Sequence, residues 1–347
     1  MPRSSKKQPS RRWVSKKWAT YTQWLADYRE RRPHRSFRPT RRRDYVRPIV
    51  LPGNIAFTHS VFQTVGRNWR LFLPLAVIYV VLYGLLVGLS SQAVYADLSA
   101  TMQELGGEAF GGDWDAVSQV GALFLSVMTS GLGVELTEAQ QLFAVLLTLM
   151  VWLTVVWLLR NRMAGHSVKL RDGLYSAGAP IFASIVVVVI MLVQLIPVAL
   201  AAIGYAAAAS TGILDGGVEA MLFWIAAGLL TLLSLYWVSS SLFALVIITL
   251  PGMYPVKALK SSADIIFGRR IKLLLRMLWM VLVILITWAV VLIPFIALDI
   301  WLKSIWPQIE WIPVIPILLV ILSALTVIWT SVYVYLLYRR VVDYVAE

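Results

Sequence analysis

Cysteine is absent from this 347-residue chain, and only three histidines are present. The first absence excludes disulfides, thiolate metal sites and cysteine nucleophiles. His34, His59 and His166 stand far apart in the sequence and argue against a zinc centre. Charge is scarce too. Lys, Arg, Asp and Glu make up 14% of the residues and apolar types 59%, where a soluble domain carries about 25% charge. A chain this apolar, with a mean hydropathy of +0.75, needs lipid as part of its solvent.

In place of charge there are long apolar runs. About 20 apolar residues cross a ~30 Å hydrocarbon core as a helix. Six stretches qualify: Leu71–Ser91, Ala139–Leu159, Pro180–Tyr205, Ala220–Leu250, Met277–Leu298 and Ile312–Tyr338, and none contains an ionisable acid, base or histidine. The fourth is about 46 Å long at 1.5 Å per residue, so it tilts or its Phe243–Leu250 end leaves the lipid.

Alternate sides follow for the segments between. With the N-terminus inside, residues 1–70, 160–179, 251–276 and 339–347 are inner and hold 30 of the 31 Lys and Arg. The outer segments hold one, Lys303, with 11 of the 18 acids. Every loop obeys the positive-inside rule, which predicts a multi-pass protein of a prokaryotic plasma membrane with both termini cytoplasmic. Val120–Gly133, 14 residues long, is short for a span. A crossing there would move all the downstream inner cations outside, so it reads as an outer-face helix lying on or dipping into the bilayer. The Gly-rich stretch Gln92–Gln119 before it reads as a loop. Trp69, Trp157, Trp301, Trp306 and Trp311 fall where the interfaces should be, as an aromatic belt does.

Residues 1–48 form a basic tail and 49–347 the membrane domain. Arg11-Arg12 has no apolar run directly behind it, so the tail is not expected to act as an export signal. Within residues 10–32, Val14, Trp18, Tyr21, Leu25 and Tyr28 share one helical face and Pro33 stops the helix. Such a basic helix with an aromatic stripe suits an anionic bilayer surface, or packs on the protein's own inner loops. The run that follows includes Arg31, Arg32, Arg35, Arg38, Arg41, Arg42, Arg43 and Arg47, whose planar forks suit phosphate. Anionic lipid of the inner leaflet is the nearest partner. RNA binds by the same electrostatics, a cytoplasmic protein is a third candidate, and a topological anchor without a specific partner is the plain alternative.

Similar punctuation recurs before spans one, three and five. Pro52-Gly53 opens a stretch with Ile55, Thr58, Val61, Phe62, Val65 and Trp69 on one face. Gly165 opens His166–Leu170. Pro251-Gly252 opens a segment in which Val256, Leu259, Ala263 and Ile266 oppose Lys257, Lys260 and Asp264. Each is expected to be an amphipathic helix on the inner interface, feeding a two-span hairpin. Spans three and five also share Leu-Ile-Pro, at Leu195–Pro197 and Leu292–Pro294. The expected fold is thus an all-α integral membrane protein, with six spans arranged as three hairpins. Gly84 and Gly88 make a GxxxG in the first span, which permits close helix approach within the bundle or in a dimer.

In these lead-in segments, best in Pro251–Arg270 (PGMYPVKALKSSADIIFGRR), and in its six spans, the chain resembles a loose group of bacterial multi-pass proteins. The group includes the membrane domain attached to some glycerophosphodiester phosphodiesterases. The resemblance covers about residues 50–340 and implies the architecture alone. The phosphodiesterase barrel is absent, so no catalytic residue carries over.

Ion-coupled carriers usually place ionisable groups within their spans; here the intramembrane polar groups are neutral. Gln194, Pro197, Ser239, Ser240 and Ser241 form the candidate polar site, because a proline kink frees a carbonyl. The same residues could equally bond a neighbouring helix. The acids Asp97, Glu104, Glu108, Asp113 and Asp115 sit in a loop without histidine and read as solvated charge. The function expected is therefore a non-catalytic scaffold, assembly factor or accessory subunit without a cofactor. A small-molecule carrier built around Gln194 and Pro197 is the alternative. Because no native cysteine interferes, single cysteines report the topology directly. Ser167→Cys should resist a membrane-impermeant maleimide in intact cells and Ser304→Cys should react; external labelling of Ser167→Cys would overturn the assignment.

Overall fold

The computed structural model describes residues 20–24, 51–88, 137–211, 216–267, 269–306, 308 and 312–346. Contacts divide the chain into two units. One comprises residues 1–50 and 267–269; in it residues 20–24 are helical, with the Tyr21 and Trp24 rings stacked at 6.1 Å. The eight tail arginines named above, the rest of the expected 10–32 helix, the loop 92–119 and Val120–Gly133 lie outside the described residues.

The other unit, residues 51–266 and 270–347, is all-α among the described residues. Its helices are α1 (Asn54–Arg67), α2 (Trp69–Leu86), α3 (Glu138–Met163), α4 (Leu170–Ala177), α5 (Ile181–Gln194), α6 (Ile196–Ser210), α7 (Gly217–Ile247), α8 (Pro255–Ile266), α9 (Arg270–Ile305) and α10 (Val314–Ala346). With α5 and α6 taken as one interrupted span, six helices are long and apolar enough to cross a membrane. Many of their large apolar side chains are exposed: Leu85 by 76%, Ile203 by 66% and Leu229 by 63%. A water-soluble monomer does not tolerate apolar patches on that scale; a helix facing lipid does. The chain is a multi-pass membrane protein.

Local chemistry sets the helix ends. Thr137 and Gln140 form a capping box at the start of α3, each side chain accepting from the other's backbone N–H. At its far end, His166 N–H reaches Asn161 O and Gly165 N–H reaches Arg162 O, both at 3.1 Å. These are the two bonds of a Schellman motif, and Gly165 supplies the positive φ of 87° it requires. Arg160 and Arg162 in the last turn oppose the helix dipole. Gly88 has a different role from the one its spacing suggests. It has φ of 95° and lies just past the end of α2, while a Cβ on Gly84 would meet nothing within 4 Å. This GxxxG holds no helix against α2 within the described chain.

Consecutive long helices pack on each other: α2 on α3, α5 and α6 on α7, α9 on α10. The three short helices pack elsewhere. Helix α4 lies on α3 and α8 on α7, each on the helix that closes the pair before it. Helix α1 lies on α10, the last helix of the chain, so the rule holds cyclically and the first segment closes on the last. Helix α10 also meets α2, α3, α7 and α9, which makes it the central post.

The buried faces overlap the apolar stripes read in the sequence only at Val61 and Ile266. In α8 the buried residues are Ala258, Ser262 and Ile266, while Val256 is 61% exposed. In α1 they are Phe57 and Val61, while Ile55 is 76% and Trp69 54% exposed. In α4 they are Gly173 and Ala177. Lipid is as apolar as leucine, so hydrophobicity does not choose the packed face; close approach does, and small residues permit it. A Cβ on Gly173 would stand 3.0 Å from Leu158 and 3.3 Å from Thr154 of α3. Gly173→Val should therefore overpack this joint and cost about 1–3 kcal/mol, read as a lower midpoint in thermal unfolding of the detergent-solubilised protein. Gly84→Val should leave the midpoint unchanged; equal effects of the two would refute this packing account.

Candidate functional site

The third span is interrupted where the sequence places its polar candidates. Pro197 has no amide hydrogen to give a carbonyl one turn back, and α5 stops at Gln194. Leu195 N–H closes the turn on Met191 O at 3.1 Å and Leu192 O at 3.0 Å. The Val198 amide, just past the proline, donates to Ser234 Oγ of α7 at 3.1 Å. On the near side of the break, Ser241 Oγ donates to Gln194 Oε1 at 2.7 Å. Ser234 and Ser241 are seven residues apart, two helical turns, so one face of α7 meets both sides of the interruption. Both serines are buried.

Of the five candidate residues, the structure joins Gln194 to Ser241 and sets Pro197 beside the Val198–Ser234 bond. Ser239 and Ser240 stay on their own helix, donating to Tyr236 O at 2.8 Å and Trp237 O at 2.7 Å. The arrangement is a neutral joint between helices, each bond of which contributes about 0.6 kcal/mol in lipid. The second Leu-Ile-Pro behaves differently. Helix α9 runs through Pro294, where Leu292 and Ile296 pack on Ile315 and Leu319 of α10.

Sequence reasoning missed Arg276, which reads there as one more cation flanking a span. It is only 8% exposed. Its Nη2 donates to the Pro52 carbonyl, ahead of α1. Its guanidinium carbon lies 5.7 Å from the centre of the Phe57 ring. Phe57 in turn meets Tyr333 edge-on at 4.8 Å, and the Tyr333 hydroxyl donates to the Arg276 carbonyl at 3.1 Å. One turn along α9, Trp279 Nε1 donates to Thr58 Oγ1 at 3.0 Å. Helices α1, α9 and α10 are thus locked at one point by a cation, two carbonyls and two aromatic rings. The nearby signal was Trp279, whose indole nitrogen needs a partner when covered.

Two other cations are engaged. Arg160 at the end of α3 donates to Thr249 O at 2.7 Å, where positive charge meets the carbonyl end of α7. Lys303, the one cation assigned to the outer side, pairs with Asp299 at 2.8 Å on the same helix. Its charge is offset locally, which weakens the exception it makes to the positive-inside pattern. Among the described residues no group of three His, Asp or Glu is placed to hold a metal ion.

An apolar groove of about 370 Å³ opens between α1 and α2 on one side and α9 on the other, with α10 behind. Phe62, Trp69, Thr287, Val291, Leu325 and Trp329 are among its walls; none of the five polar candidates is. No protein-family model matches the chain, and neither a curated protein nor a solved structure is found to match it.

The Arg276 joint is open to test by unfolding. Arg276→Met should cost about 1.5–3 kcal/mol and Tyr333→Phe about 0.5–1.5 kcal/mol. The double variant should fall short of their sum because the two share one network. Full additivity would mean that the two groups act separately.

Proposed function

We propose that the chain is a non-catalytic, multi-pass protein of a bacterial plasma membrane. It acts as a scaffold, assembly factor or accessory subunit, and its basic N-terminal tail binds the anionic inner leaflet or a cytoplasmic partner. The observation that carries the reading is the distribution of charge. Thirty of 31 Lys and Arg fall in the segments assigned to one side, and the candidate polar groups within the spans are neutral. Those groups are taken up in helix–helix and back-bonding contacts, which supports a static bundle over a path for solutes. The resemblance to the membrane domain of glycerophosphodiester phosphodiesterases accords with this reading and lends it no activity.

One observation favours a carrier: interrupted spans line the substrate sites of many transporters, and α5–α6 is interrupted at Leu195. The two readings separate on Gln194→Leu. A scaffold loses one interhelical bond there, about 0.6 kcal/mol on average. A carrier loses uptake, or the thermal shift a solute produces.

The tail is tested directly. Deleting residues 1–48 should leave insertion and the unfolding midpoint intact and abolish salt-sensitive binding to anionic vesicles. Equal binding of the isolated tail to neutral and anionic vesicles at low salt would refute the lipid role.

A further inference from the structure

We propose that the groove between α2, α9 and α10 is a binding site for one phospholipid with an anionic headgroup, its acyl chain in the groove and its phosphate at Arg70. The described residues that line the groove all belong to the membrane domain. Its walls are almost entirely apolar. The Thr287 hydroxyl donates to Val283 O at 2.7 Å, and the Thr326 hydroxyl accepts the indole N–H of Trp288 at 2.8 Å. Both hydroxyls lining the groove are thereby engaged, and the remaining walls are aliphatic or aromatic, while the buried Trp329 Nε1 has no hydrogen-bond partner among the described residues.

The ends differ. At the N-terminal end of α2 stands Trp69, half exposed, with the Arg70 guanidinium carbon 5.9 Å from its ring centre. Arg67, also exposed, is less than one turn earlier. At the other end the walls are Val291, Leu322 and Leu325. This passage from cation through indole to aliphatic side chains matches the order of phosphate, glycerol ester and acyl chain in a lipid.

Dimensions select the same occupant. Val283 and Val291 bracket the α9 wall, and eight residues of helix rise about 12 Å, close to one leaflet's share of a ~30 Å core. An acyl chain laid along the trough restores the dispersion contacts that its open wall forfeits.

The test uses the full chain, purified in detergent and stripped of lipid, then offered equal dioleoyl phosphatidylglycerol and dioleoyl phosphatidylcholine. Bound lipid is counted by native mass spectrometry from about 0.5 M volatile salt, which screens loosely held surface charge. One phosphatidylglycerol per chain should be retained about fivefold over phosphatidylcholine, the worth of one cation beside an anionic surface. Arg70→Gln should bring the two lipids level, and Thr287→Trp, which fills the groove, should reduce both. Equal retention of the two lipids by the unaltered chain would overturn the proposal. So would a preference that survives Arg70→Gln, since that preference would belong to the tail. Arg70 is exposed, so its variant decides the matter even where Thr287→Trp fails to fold.

Discussion

Helices that share a lipid solvent gain little by hiding apolar surface from it, so something else must hold them in register. Here the constraint is the joint at Arg276. A buried guanidinium takes the carbonyl ahead of α1, a tyrosine of α10 takes the arginine's own carbonyl, and Phe57 fills the angle between them. The guanidinium is engaged through Nη2, while its buried Nη1 finds no partner among the described residues. The joint brings its two carbonyls and two rings together only when α1, α9 and α10 are all in place. It ties the first helix of the membrane domain to the last two and turns a linear chain of helices into a closed assembly.

The same economy of means recurs around the bundle. Arg160 joins α3 to the end of α7, Ser234 and Ser241 join α7 to both halves of the interrupted span, and Gly173 lets α4 sit against α3. Packing density follows these joints. The tightly buried residues of α3, Val151 to Leu159, and of α7, Phe243 to Ile247, lie toward the ends that run into the basic segments. The first half of α7 and most of α5 and α6 present apolar side chains outward. One end of the domain is built like a protein core and the other is largely a set of helices in lipid. This also explains the long fourth span. Its Phe243–Ile247 end does not need lipid, because α8 and other helices cover it.

Function follows from what these joints leave over. Gln194, Ser234, Ser239, Ser240 and Ser241 are each engaged in a hydrogen bond where they stand. The groove beside α10 is the place where the bundle leaves a wall incomplete. Its two hydroxyls are engaged within the bundle, and the charge nearest it is the cation beside Trp69.

Sequence by itself determined that this is a membrane protein and nearly where the six long apolar helices among the described residues begin. Each of those rests on runs of about 20 residues and on charge counted over whole loops, quantities that need no neighbour. It also marked Pro197 and Gln194, because proline and intramembrane amides are rare enough to stand out, but it named Ser239, Ser240 and Ser241 together and did not single out Ser241 as the partner of Gln194. It marked apolar stripes on α1 and α8 but not their packed faces, which share only Val61 and Ile266 with those stripes, since an apolar stripe marks the packed side only where the opposite side meets water. It passed over Arg276, whose character depends on Pro52, Phe57 and Tyr333, residues far from it along the chain. Only the tertiary structure could decide which flanking arginine is solvated and which is a keystone, because burial is a property of the neighbours and not of the residue.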